Sequence, residues 1–204
     1  MIDLYAAATS NSVRARIALE ECGLPYQLKF VDLAKGEHKA PQFLALNPNG
    51  QIPVVVDSDG PGGKPLTLSQ STAILIYAAE KSGKFLPKDP GARARVMQGL
   101  MNASTDVTPL FGTVNACLRA KEPHAPTIQM FKDRLRAFFK VWDDHFAKSR
   151  YAAGDEVTVA DFSLLAGWWR TKGALPELLE GFANLKRWGE GMSARPAVQR
   201  ALKF

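Results

Sequence analysis

Apolar and polar residues alternate along the first third of the chain, then settle into a spacing of three and four, which divides it into two halves of different period. Ile2 and Leu4 flank polar Asp3, the mark of a half-buried strand. Val13, Ile17 and Ala18 fall on one face of a helix that Gly23 would end. Tyr26, Leu28 and Phe30 alternate with Gln27 and Lys29, which predicts a second strand. The segment "APQFLALNP" predicts a short helix before Pro48, "PVVVD" a buried strand, "SDGPGGK" a turn and "PLTL" a fourth strand. "SQSTAILIYAAEKSG" then predicts a helix from Ser69 or Gln70 to Gly83. The βαβ start implies a right-handed parallel crossover, and the GPGG turn implies an antiparallel hairpin.

Beyond the Gly/Pro/Lys-rich connector "KSGKFLPKDPGA", strand signals fade. Val96, Leu100, Ala103, Val107, Leu110, Val114 and Cys117 form one helical stripe. Ile128, Phe131, Leu135, Phe138 and Trp142 form a second, and Phe162, Leu165, Ala166 and Trp169 a shorter third. Pro109 should kink the first of these near Thr108. The expected organisation is an α/β domain over 1–79, a linker over 80–91 and an all-helical domain over 92–204. Met101, Phe111 and Trp168 are of the types that line a substrate pocket, and also of those that build a core.

Composition narrows the class without naming a function. The 204 residues are 46% hydrophobic and 23% charged, as in an ordinary water-soluble domain, and no apolar run reaches membrane-spanning length. The start, Met1-Ile2-Asp3-Leu4, lacks the basic opening of a signal peptide, so a cytoplasmic protein is expected. Cys22 and Cys117 are too few for a disulfide framework. The net charge of +6 resides entirely in the second part, where basic side chains are interspersed with acids, as in "FKDRLRAFFK". No block of like charge calls for nucleic acid or a membrane surface.

The candidate chemistry lies at the mouth of the first helix, where Thr9, Ser10, Asn11 and Ser12 stand together. Such residues cap orphan N–H groups, and the same strand-to-helix turn can hold an anion. There is no GxSxG, HExxH, Walker loop or dinucleotide fingerprint. His38, His124 and His145 are far apart and lack partners at ligand spacing, so no metal is expected. A dithiol oxidoreductase would carry CxxC where this chain carries hydroxyls and an amide. Donors without a nucleophile make sense if the reactive thiol arrives with a ligand.

"NPNGQIPVVVD" followed by "LTLSQSTAIL" resembles the glutathione-binding half of the glutathione S-transferases, and "TVADFSLL" resembles the buried capping box of their helical half. "TSNSVRARIALEE", "DLAKGEHKAPQFLALNP" and "GGKPLTLSQS" are most similar to the Nu-class and related bacterial branch, where a Thr-x-Asn pair stands in for a single Tyr, Ser or Cys. The resemblance spans essentially the whole chain. It implies the glutathione transferase fold: an α/β thioredoxin-like N-terminal domain, and an all-α C-terminal domain carrying the second-substrate site.

By the same resemblance, Ile52-Pro53 is a cis peptide whose Ile52 backbone pairs with the cysteinyl part of glutathione. Ser71 holds the γ-glutamyl carboxylate and Gln70 the α-amino end, with Gln70 standing where relatives carry Glu. Gln51 and His38 are candidates for the glycine carboxylate. Thr9 and Asn11 face the sulfur, with Ser10 as the rival for that role. Arg134 occupies roughly the place from which an arginine crosses a homodimer interface. Asp161 belongs to the Thr158 capping box, and Asp161→Ala should cost about 1–2 kcal/mol or more in folding.

The implied activity is that of an enzyme for which glutathione is co-substrate and no metal is needed. Its thiolate would attack electrophilic carbon, as in detoxifying conjugation, or disulfides and peroxides, and the Thr-x-Asn pair leans toward disulfide-bond reduction. The alternative is a glutathione-binding regulatory or interaction protein with little turnover.

Overall fold

In the computed structural model, which describes residues 1–204, strand β1 (Ile2–Ala6) lies between β2 (Tyr26–Phe30) and β3 (Val54–Asp57), with β4 (Leu66–Ser69) beyond β3. β1 and β2 run parallel, whereas β3 is antiparallel to both of its neighbours, pairing Leu4 with Val55 and Val55 with Leu68. The parallel pair and the hairpin are thus both as the sequence pattern predicts. Helix α1 (Ser10–Cys22) makes the crossover and stops at Gly23, whose φ of 70° only glycine adopts cheaply. A short α2 (Pro41–Leu44) follows β2, and α3 (Ser71–Ser82) follows β4.

Val13 and Ile17 of α1, and Ile74 and Leu75 of α3, are fully buried. Burial of each such side chain stabilises the unit by about 1.5–3 kcal/mol. Asp57, also buried, ties α3 to β3 by accepting from the Tyr77 hydroxyl at 2.6 Å and pairing with Lys81 at 3.0 Å.

The chain returns to this unit near its end. Helix α9 (Pro196–Ala201) packs on α1, burying Val198 and Ala201 and placing Arg200 Nε 2.7 Å from Glu20 Oε2. Arg16 lies over the Phe204 ring at 4.9 Å. The first unit therefore comprises 1–86 together with 196–204, and the second comprises 87–195. This differs from the expected 92–204 helical domain, because an apolar α9 face and an ion pair to Glu20 claim the last nine residues.

In the second unit, α4 (Pro90–Met101) and α5 (Thr108–Leu118) are joined by a π-helical turn, Asn102–Val107. The interruption expected near Thr108 takes this form. Pro109 has no N–H to offer the preceding turn, and the Ser104, Thr105 and Thr108 hydroxyls donate to the carbonyls of Leu100, Met101 and Ala103 at 2.8–2.9 Å. Helix α6 (Ala125–Phe146) buries Ile128, Leu135, Phe139, Trp142 and Phe146. Phe139 and Phe146 carry the stripe that the sequence pattern assigned to Phe131 and Phe138, both of which stay half-buried.

Helix α7 (Val159–Ala174) is buried on every side from Val159 to Trp168, as a central helix must be, and α8 (Ala183–Ser193) packs on α6 and α7. Asp143 of α6 caps α8, accepting from the N–H groups of Asn184 and Leu185 at 2.8 and 2.9 Å. No helix is long and apolar enough to cross a membrane.

The packing of α8 on α7 depends on Gly189. A Cβ there would lie 2.6 Å from Trp168 Cζ2, well inside contact distance. Gly189→Ala is therefore expected to lower unfolding stability by about 1–3 kcal/mol, as overpacking does. Urea titration followed by circular dichroism measures this, and an unchanged midpoint would show that the indole moves aside freely.

Candidate functional site

The β-sheet register gathers the N-terminal unit's polar loops at one end. Val54 pairs with Ser69 and with Tyr5, so Pro53 lies beside Gln70 and beside the residues that lead into α1. Ile52-Pro53 is cis, as the family resemblance implies. The loop before it is held by Asn47, 4% exposed, whose Nδ2 donates to the Gln51 carbonyl at 2.7 Å and whose Oδ1 accepts from Asn49 N–H at 3.2 Å.

Gly50 permits a close approach next to this loop. It has φ 59°, and a Cβ there would meet the His38 carbonyl at 2.8 Å. The one-turn helix Glu37–Lys39 can therefore press against the loop, with the His38 carbonyl against Gly50, one residue before Gln51. The Nδ1 of His38 is shielded from solvent and has no hydrogen-bond partner in the protein. Gln51 is exposed.

At the start of α3, Gln70 is exposed and holds φ 73° and ψ 108°, a left-handed conformation that a non-glycine residue adopts at a cost of about 1–3 kcal/mol. The next residue, Ser71, is buried. Its Oγ accepts a hydrogen bond from Arg14 Nη1 at 3.0 Å. That acceptance leaves the Ser71 hydroxyl hydrogen for a second partner. Ser71 opens α3, at an N-terminus where backbone N–H groups and the helix dipole favour a carboxylate.

Arg14 was not among the residues singled out from the sequence. It is 2% exposed, and burial pulls its pKa down to about 10, so it remains charged at neutral pH. Its Nη1 also reaches Asn11 Oδ1 at 3.4 Å. This fixes the amide: Oδ1 faces the cation, and the Nδ2 hydrogens are left as the donors. One buried cation therefore orients both Asn11 and Ser71. The signal was present in the sequence as an arginine one turn before Ile17 and Ala18, on the apolar face of α1, where an unpaired cation would not be tolerated.

Thr9 is the N-cap of α1. Its Oγ1 accepts from Ser12 N–H at 3.3 Å and donates to Ser12 Oγ at 3.1 Å. Ser10 is the first helical residue and is half-exposed, and Asn11 is exposed. Capping engages a Thr9 lone pair, and its hydrogen rests on Ser12 Oγ, a neutral acceptor that a thiolate would have to displace. Arg134 lies on the exposed side of α6, in the helical unit. Met101 is 40% exposed, while Phe111 and Trp168 are core residues at 5% and 2%. No group of three or more His, Cys, Asp or Glu side chains is placed to hold a metal.

Comparison with known proteins places the chain among relatives. Residues 9–81 match the N-terminal domain of the glutathione S-transferases, and residues 125–189 match their C-terminal domain. The chain is 34% identical to the disulfide-bond oxidoreductase YfcG of Escherichia coli K12, covering 99% of this chain and 94% of that protein. It is 33% identical to glutathione S-transferase 3 of Zea mays, covering 98% and 93%. Among solved structures, a Pseudomonas fluorescens glutathione transferase family member with two glutathione bound has a TM-score of 0.93 at 33% identity, covering 99% of this chain and 92% of that one. A Pseudomonas putida glutathione transferase with one glutathione disulfide per subunit has a TM-score of 0.91 at 31% identity, covering 100% and 91%. With both halves matched and relatives aligned along nearly the whole length, the chain belongs to the glutathione S-transferase family.

Proposed function

We propose that this protein binds glutathione at the end of its N-terminal sheet, ionises the thiol and directs the thiolate at disulfides. The observation that carries the reading is the Arg14-anchored pair of Ser71 and Asn11, one presented at the start of α3 and the other at the start of α1. Ser71 would receive the γ-glutamyl carboxylate and strained Gln70 the α-amino end. His38 and Gln51 would receive the glycine carboxylate, and the Ile52 backbone would pair with the cysteinyl unit beside cis Pro53. Thr9 and Asn11 would donate to the sulfur. Moving a thiol from about 8.5 to between 6 and 7 takes about 2–3 kcal/mol of preferential thiolate stabilisation, which two charge-assisted hydrogen bonds and a helix N-terminus can supply.

The favoured reaction consumes two glutathione molecules. The first thiolate attacks one sulfur of a disulfide, the S–S bond breaks, and the other sulfur leaves as thiolate. A second glutathione thiolate then attacks the glutathionyl sulfur of the mixed disulfide, giving glutathione disulfide and the second product thiolate. The relatives named disulfide-bond oxidoreductases and the solved relatives holding two glutathione, or glutathione disulfide, support this order. The same thiolate would also attack an electrophilic carbon, as the name of the maize relative implies. A cytoplasmic homodimer belongs to the same proposal. Met130, 57% exposed, and Val141, 65% exposed, lie on one face of α6 with Arg134, which a second copy would cover.

Titration with glutathione, followed by turnover of hydroxyethyl disulfide and of a chlorinated dinitrobenzene, tests this reading. Binding without turnover would favour a regulatory role, and no binding at millimolar glutathione would overturn both. The thiolate absorbance of bound glutathione against pH then separates the three candidates at α1. Thr9→Ala or Asn11→Ala is expected to raise the apparent thiol pKa by about one unit, equivalent to about 1.4 kcal/mol. A shift from Ser10→Ala as large or larger would transfer the role to Ser10.

A further inference from the structure

Ser12, on the first turn of α1, is fully buried, whereas Thr9 beside it is half-exposed. Their hydroxyl oxygens lie 3.1 Å apart, and the Ser12 N–H donates to Thr9 Oγ1 at 3.3 Å. A hydroxyl carries one hydrogen and two lone pairs. One hydrogen bond between two hydroxyls therefore uses one of their two hydrogens and leaves the other to be placed.

The difference in burial decides where that second hydrogen does best. With Thr9 as donor, the spare hydrogen is that of Ser12, in a dry interior where an unpaired donor is unfavourable. With Ser12 as donor, its hydrogen lies on the second lone pair of Thr9 Oγ1, and the spare one is carried by half-exposed Thr9. The two arrangements differ only by rotation of two O–H bonds, and no proton changes owner. An anionic sulfur beside Thr9 tips the pair to the second arrangement. It draws the Thr9 hydrogen outward, and the 3.1 Å contact is kept with its direction reversed.

A hydroxyl that accepts hydrogen bonds is a better donor, because each accepted bond polarises its own O–H. Turned outward, Thr9 would accept from both the N–H and the O–H of Ser12, at a helix N-terminus whose dipole favours the same anion. Asn11 has the matching device, since its Oδ1 is held by Arg14. We propose that Ser12 is a positioning residue for the thiolate. When glutathione occupies the site proposed above, on which this inference rests, Ser12 donates to Thr9 Oγ1 and commits the Thr9 hydrogen to the sulfur. The pairing backs Thr9 and not its rival Ser10.

The test compares the parent, Ser12→Ala, Thr9→Ala and the double variant by the pH dependence of the thiolate absorbance of bound glutathione. Ser12→Ala keeps the backbone N–H that Thr9 caps, so the start of α1 stays intact. It is expected to raise the apparent thiol pKa by about half a unit, roughly half the Thr9→Ala shift. In the Thr9→Ala background the same change should add almost nothing, because its effect passes through Thr9. S-methylglutathione, which has no thiol to ionise, is the control for a merely structural role, and its Kd should be the same for the parent and Ser12→Ala.

An unchanged pKa in Ser12→Ala beside a raised one in Thr9→Ala would overturn the relay and leave Thr9 as a donor to the sulfur. A Ser12→Ala shift that persists in full in the double variant, or weaker binding of S-methylglutathione by Ser12→Ala, would also overturn it and make Ser12 a support of the helix start alone. An unchanged pKa in Thr9→Ala would remove Thr9 and the relay together. Failure of the parent to bind either glutathione or its S-methyl form is a different result, which would sink the glutathione reading itself and the relay with it.

Discussion

Asp161→Ala is expected to lower the unfolding free energy of the helical unit by about 3–5 kcal/mol, more than a lost helix cap alone. The carboxylate is fully buried and accepts from four donors: Ala152 N–H at 2.8 Å, Thr158 N–H at 2.9 Å, Thr158 Oγ1 at 3.2 Å and Trp188 Nε1–H at 3.0 Å. Alanine removes every acceptor at once and leaves three N–H groups in a dry interior, each costing about 1–3 kcal/mol before relaxation. In thermal unfolding this is a fall of roughly 10 °C or more for a chain of this size.

Asp161→Asn keeps one acceptor oxygen and should fall between the two. Burial pushes the Asp161 carboxyl above the usual carboxylate range, against the pull of its donors. Since the folded value is raised, the group's contribution is fully present below the unfolded value and shrinks only as pH rises through the folded one. Acidification should therefore withdraw no stability through Asp161. A variant that unfolds at the parental midpoint would refute the assignment of these four bonds as a structural keystone.

The second large effect is expected at Arg14. Arg14→Met keeps most of the buried volume while removing the cation that orients Ser71 and Asn11, and glutathione Kd should rise about tenfold, equivalent to about 1.4 kcal/mol. Ser71→Ala should weaken binding comparably, and the double variant should add little, because both remove one device. Arg16→Met is the control. Its side chain, on the same helix, donates to Tyr26 and to the Lys203 carbonyl, and binding should not move. Isothermal titration of the parent and the four variants settles the matter, and an unchanged Kd for Arg14→Met would remove Arg14 from the site.

What the sequence revealed and what it hid divides along chemical range. The hairpin, the glycine helix stops and the Thr158–Asp161 box are local devices, written within a few residues, and each stands where the pattern put it. The motif around Pro53 and Ser71 was legible because its residues have few alternative uses in that order. Arg14 was passed over because its meaning depends on Ser71, 57 positions away. The same holds for Asp143, whose partners lie 41 and 42 positions along the chain. On α6, the difference between Phe138 and Phe139 is one residue of helical phase, which is fixed by what the helix packs against and not by its own period.

The return of residues 196–204 to the first unit has a consequence for biosynthesis. During translation, the sheet and its first three helices emerge early, yet the Glu20–Arg200 clasp cannot close until the whole intervening helical unit has been made. The nascent first unit must wait with one flank of α1 uncovered, and a stall anywhere upstream of Pro196 would strand it in that unfinished state.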